Sequence, residues 1–131
     1  MTAYFTLRSK HETPNPRRNN MDGNRAKTVT TMKIRGVACV HPTDDGKFVL
    51  AFSMLGNADS YDPKRGRNIC EGRAKLRAES DGPLRKCVAD YTTILDSFQA
   101  CRDLIHEVKK AANDTTSGMQ YAAVVRDTIS R

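Results

Sequence analysis

The chain has no tryptophan, only four phenylalanines and four tyrosines in 131 residues, and no apolar run approaching the length of a membrane span. Few aromatics weaken any reading as a stacking platform for single-stranded nucleic acid. A hydrophobic share of 38% implies one domain with a modest core, part of the chain lying outside it or packing on another copy. The opening "MTAYFTLRSK" lacks the apolar stretch of a signal peptide, so the cytosol is the expected compartment. No C-x-x-C pair occurs among Cys39, Cys70, Cys87 and Cys101, and only Cys39 and His41 are spaced to share a strand face. Two ligands do not make a zinc site, and the four thiols read as small reduced core residues. G-x-S-x-G, H-E-x-x-H and the Walker A loop are all absent. No catalytic residue, cofactor or metal is assigned, and the expected activity is not enzymatic.

Positive charge is what the chain does have. A formal net charge of +7 and a pI near 9.5 favour anionic partners such as nucleotides, nucleic acid or acidic surfaces.

Residues 1–28 read as a basic N-terminal arm and 29–131 as a single α+β domain. Within 8–28, Pro14, Pro16, Gly23, four asparagines and six basic side chains leave no apolar periodicity to bury. "AYFTL" could still add a short edge strand. From Val29 the period becomes two: Met32, Ile34, Ala38 and Val40, then Phe48, Leu50, Phe52 and Met54, predict two strands. "HPTDDG" between them carries turn chemistry, so the strands form an antiparallel hairpin. Gly36 marks a bulge or a close backbone approach. Ser60 or Asp62 caps a helix over 63–80 with Pro63 in its first turn. A second helix runs from Tyr91 through Ile94, Leu95, Phe98, Cys101, Ile105 and Val108 to Ala112, with Thr93 and Asp96 resembling a capping box. "MQYAAVVRDTISR" alternates weakly and reads as a C-terminal strand, with a short helix as the alternative. The expected fold is therefore an antiparallel sheet with a central hairpin, two helices on one face and a C-terminal strand.

At about 100° per residue, Arg73 falls about 40° from Ile69, among the positions expected to face inward. A guanidinium there needs an anion, because an unpaired buried charge costs several kcal/mol. That anion is a carboxylate of the chain, unless the head snorkels outward or a ligand supplies the charge. Positions 62–77 hold six basic residues against two acidic ones, with Arg65 and Arg77 on the i,i+4 row of Arg73 and Arg67 nearby. Glu71 can pair with Arg67 and Lys75, which leaves Arg73 without a local partner. Guanidinium groups suit bidentate phosphate, so phosphate is the natural external anion. Gly66 and Gly72 each cost about 1 kcal/mol in a helix interior, implying that something approaches the backbone there.

The order hairpin, then "SMLGNADSYDPKRGRNICEGR", resembles a pattern of small bacteriophage proteins in which Gly-Arg-x-Ile-x-x-Gly-Arg opens a helix. Among these it is most similar to the phage anti-Thoeris sponge family, over roughly residues 30–131. That family sequesters a cyclic ADP-ribose signal made by a bacterial TIR enzyme without destroying it. The resemblance implies a small cyclic nucleotide ligand, a site built between subunits of a homo-oligomer, and action in the host cytoplasm. It also implies ligand contacts from Arg73, from an aromatic on the long helix, matched here by Phe98, and from Arg126 near the C-terminus. Arg67 and Arg77 complete the candidate ligand-binding set. Phe98 also sits at the centre of the apolar stripe, where the residues themselves favour a core role over stacking on a base.

Two other readings stand beside the sponge. One is a sequence-tolerant nucleic-acid binder using Arg17, Arg18, Arg25 and Lys27 of the arm with Lys33, Arg35, Lys64 and Arg65. The other is an inhibitor that occupies a host protein. No membrane partner is expected.

Overall fold

A computed structural model describes residues 2–14, 28–55 and 62–131, without the side chains of residues 13, 14, 28 and 29. The described elements are, in order, β1 (Ala3–Pro14), β2 (Thr28–Pro42), β3 (Phe48–Met54), α1 (Pro63–Glu79), α2 (Lys86–Ala89), β4 (Thr92–Leu95), α3 (Phe98–Ala111) and α4 (Gly118–Ser130). All four strands pair antiparallel in the order β1-β2-β3-β4, giving an α+β fold with the β2–β3 hairpin at its centre. The hairpin turn is closed by the Thr43 N–H donating to the Lys47 carbonyl at 2.8 Å. Gly46 takes φ +83°, the left-handed conformation that glycine adopts without steric penalty.

Alternation along the strands buries both faces of the sheet. Leu7, Ala38, Val40, Leu50 and Phe52 meet Cys101, Ile105 and Val108 of α3 and Tyr121 and Val125 of α4. On the other face Val37, Cys39, Val49 and Ala51 meet Cys70 and Ala74 of α1. The helices therefore lie on opposite faces, where the sequence reading had put two on one face. A two-sided sheet follows from the β2 pattern itself, since "VACV" is apolar at every position.

Helix α1 starts where expected: Asp62 accepts from the Lys64 and Arg65 amides, and Pro63 occupies the first turn. Its inward arc differs. Gly66, Cys70 and Ala74 form the i,i+4 row against the sheet, and a Cβ on Gly66 would sit 3.1 Å from Val37 Cγ2. Small side chains let the helix approach closely, while Leu76 is 54% exposed. Nothing lies within 4 Å of a Cβ on Gly72, so the expected close approach there is absent among the described residues.

Three further expectations are corrected. Residues 8–14 belong to β1 rather than to a loop, while residues 15–27 of the expected arm lie outside the described residues. Tyr91 to Leu95 do not begin the long helix: "TTIL" pairs as β4 with β3, and α3 starts after Ser97, whose hydroxyl accepts from the Ala100 amide at 3.0 Å. Two adjacent threonines and an isoleucine favour the strand because branched side chains lose rotamer freedom in a helix. The C-terminal segment is α4, the expected alternative to a strand. Ser117 accepts from Gln120 N at 3.2 Å, and Tyr121, Val125 and Thr128 are buried along one helical stripe.

Arg35, expected on the exposed face of β2, is 5% exposed. The β1–β2 register passes from Leu7↔Gly36 to Arg8↔Ile34, leaving Arg35 as the extra residue of a bulge. The bulge aims its side chain at Ser9 Oγ (2.9 Å), the Lys10 carbonyl (2.8 Å) and the Thr116 carbonyl (2.9 Å). Burial pulls its pKa down from the usual arginine value, yet arginine remains charged. Gly36 follows at once, and a Cβ there would stand 2.5 Å from the Ser53 carbonyl, the close approach anticipated at this glycine. Of the four cysteines, Cys87 is exposed and the other three are buried.

Candidate functional site

The end of β3 passes between the starts of α1 and α4, and Phe52 fixes the geometry there. Its amide donates to the Tyr91 carbonyl at 2.9 Å, and its own carbonyl accepts from Arg73 Nη1 at 2.7 Å. Tyr91 and Arg73 are thus pinned to successive polar groups of one strand residue. The Arg73 guanidinium carbon lies 5.3 Å from the Tyr91 ring centroid, and that of Arg126 lies 5.9 Å from it. Arg126 Nη1 also donates to the Tyr91 hydroxyl at 2.7 Å.

Two hollows adjoin this cluster and share Met54 and Leu55 as their common floor. The first, about 140 Å³, is walled by Arg65, Gly66, Ile69 and Arg73 of α1, with Asp62 at its end. The second, about 290 Å³, is walled by Tyr91, Arg126, Ala122 and the α4 start at Gly118 and Met119. Residues at both helix starts, Asp62 and Arg65 for α1 and Gly118 and Met119 for α4, therefore line this region.

No ion pair engages Arg65, Arg73 or Arg126 among the described residues. The carboxylate of Asp62 is committed to the α1 amides. The two ring distances keep the Arg73 and Arg126 guanidinium carbons within about 11 Å of each other. At that separation two cations repel by about 0.4 kcal/mol in water and about 1.5 kcal/mol at an effective dielectric of 20. An anion between them would reverse the sign of that term. Among the described residues, carbonyl and ring contacts orient the guanidiniums and no carboxylate neutralises them.

No protein-family model, curated protein or solved structure matches the chain.

Of the five side chains expected at the site, Arg73 and Arg126 meet on Tyr91. Phe98 does not join them. It packs at the start of α3 against Phe5 and Phe48, with ring centroids 6.5 and 6.1 Å away. Arg67 turns to the other side of α1, its guanidinium 5.4 Å from the Tyr4 ring. There the Tyr4 hydroxyl donates to Glu71 Oε2 at 2.7 Å and Lys75 pairs with Glu71 at 3.4 Å, while the expected Arg67–Glu71 pair is absent among the described residues. This contact, with burial and the Glu71 charge, pushes the Tyr4 pKa up to about 12. Arg77 makes no hydrogen bond or ion pair among the described residues and does not line either hollow. Behind Arg73, hydrogen bonding with Cys39 and burial push the Cys70 thiol upward, so it stays protonated and unreactive.

Tyr91 is the residue that sequence reasoning missed. By spacing it is the first member of an apolar helical stripe, and its two cationic partners come from α1 and α4, far away in the chain.

Proposed function

We propose that this chain is a non-enzymatic binder that sequesters a small phosphate-bearing cyclic nucleotide, the ligand class implied by its anti-Thoeris resemblance. The observation that carries the reading is the Arg73–Tyr91–Arg126 cluster, two guanidiniums without a carboxylate partner among the described residues flanking one aromatic ring at the edge of a cleft. Arginines supply bidentate phosphate contacts, and the ring with Met54, Leu55 and Met119 supplies apolar surface for a base or ribose.

The reading requires a ligand larger than free phosphate, one that bridges the two hollows. Small-molecule sites usually span about 300–1,000 Å³, and either hollow alone falls short of that range. A ligand spanning both lobes over the Met54–Leu55 floor would use cations from α1 and α4 together. Holding the ligand intact is part of the reading, because Asp62, the one carboxylate among the described wall residues, already caps α1. Assembly into a homo-oligomer, phage origin and action in the host cytoplasm belong to the same proposal. Among the described residues no helix is long and apolar enough to cross a membrane.

Calorimetric titration with cyclic ADP-ribose as the probe tests the proposal. Removing one partner of a desolvated charge pair costs about 3 kcal/mol, a loss of about a hundredfold in affinity. Arg73→Ala and Arg126→Ala should each show that loss, while Phe98→Leu and Arg77→Ala keep wild-type affinity. Unchanged binding by both cleft variants would remove the assignment.

A further inference from the structure

Strands β1 and β2 outrun the rest of the sheet. On β2, strand β3 covers only Gly36–Pro42, whereas β1 and β2 continue pairing from Arg8↔Ile34 to Pro14↔Thr28. The result is a two-stranded ribbon about 20 Å long at about 3.4 Å per residue. Arg8, Glu12, Thr30, Thr31 and Lys33 on it are exposed, and Met32 is 58% exposed. An isolated two-stranded ribbon is at best marginally stable. This one is braced at its base by the buried Arg35 and by Lys10 pairing with Asp114 at 3.1 Å. A solvated arm on a rigid mount is the feature to be explained.

Charge and shape together select its partner. With Lys10 paired to Asp114, the described ribbon carries Arg8 and Lys33 against Glu12, and the whole chain is +7, so a second copy is repelled at long range and a polyanion attracted. No aromatic residue occurs between Arg8 and Arg35, which leaves single strands nothing to stack on. The major groove of B-form DNA, about 12 Å wide, admits a two-stranded β-ribbon, while that of A-form RNA is too deep and narrow. We propose that the β1–β2 ribbon docks in a groove of double-stranded DNA, with Arg8 and Lys33 on phosphates. The contacts are to the backbone, so binding tolerates sequence. The surface is separate from the Arg73–Tyr91–Arg126 cleft and stands independently of the nucleotide reading.

The test is fluorescence anisotropy of a labelled duplex of about 20 base pairs with the full chain at several salt concentrations. Each phosphate neutralised adds about 0.9 to the slope of log affinity against log salt. The double variant Arg8→Gln/Lys33→Gln should therefore lower the slope by about 1.8. Between about 50 and 200 mM salt, these two contacts account for a loss of about twelvefold in the wild type, which the variant no longer shows. Both substitutions are at exposed positions, and an unchanged melting temperature confirms an intact fold. An unchanged slope in the variant, equal affinity for single-stranded DNA or duplex RNA, or no wild-type binding at about 50 mM salt overturns the proposal. Self-association that the variant abolishes, seen by sedimentation, also overturns it by assigning the ribbon to a second copy.

Discussion

Replacing Arg35 with methionine keeps side-chain length and removes three hydrogen bonds from a charged donor, to Ser9 Oγ, Lys10 O and Thr116 O. Each such bond contributes about 1.5–3 kcal/mol, so the gross loss is about 4.5–9 kcal/mol. Against this, the variant no longer desolvates a guanidinium, a relief of several kcal/mol. Water can also reach the exposed Thr116 carbonyl region, while the Ser9 hydroxyl stays buried. The expected net destabilisation is about 3 kcal/mol, a large part of the usual 5–15 kcal/mol of a domain. With a urea m-value of about 2 kcal/mol/M, the unfolding midpoint should fall by about 1.5 M. Hydrogen exchange should show the ribbon amides of β1 and β2 losing protection first, because the brace is at their base. Arg35→Lys keeps the charge but has one nitrogen where the guanidinium uses Nε on Ser9 and Nη2 on both carbonyls, so it should fall between wild type and methionine. A midpoint shift under about 0.5 M for methionine, with ribbon protection unchanged, would refute the brace.

Two other outcomes follow from local geometry. Gly72→Ala should stabilise α1 by about 1 kcal/mol in thermal denaturation, since the helix interior is open there. Gly36→Ala should destabilise by about 1–3 kcal/mol and weaken nucleotide binding, because its Cβ would strike the Ser53 carbonyl beside the cleft floor. The Tyr4 hydroxyl and Lys75 hold the Glu71 carboxyl below its ordinary 4.5. A depressed carboxylate contributes stability above its unfolded pKa that is lost as pH falls through the folded value. Urea midpoints compared at about pH 6 and pH 3 should therefore differ less in Tyr4→Phe than in the wild type, and equal differences would contradict the contact.

Period-two patterning made the hairpin legible, and Asp62-Pro63 made the start of α1 legible. Arg73 stood out as a cation near the expected inward arc, although the true arc runs through Gly66, Cys70 and Ala74. Small residues carry little weight in a hydrophobicity pattern, yet they set how closely the helix can approach. Tyr91, Ile94, Leu95 and Phe98 match helical spacing by coincidence, while the backbone of Thr92–Leu95 is claimed by pairing with β3. The signal for α4 was present in Ser117-x-x-Gln120, a capping-box pattern, and was outweighed by weak alternation after it. Arg35 was illegible for a different reason: one bulge reverses the face that simple alternation assigns. The Tyr91 cluster depends on three elements meeting at Phe52, which no local spacing encodes.

Native mass spectrometry of the chain purified from cells making the cyclic nucleotide, followed by denaturation and chromatography of whatever is released, reaches the central claim most directly. The expected result is a wild-type protein carrying the nucleotide at its unaltered mass, with Arg73→Ala/Arg126→Ala emerging empty. A wild-type protein that carries no nucleotide, or releases a hydrolysed one, would contradict the account.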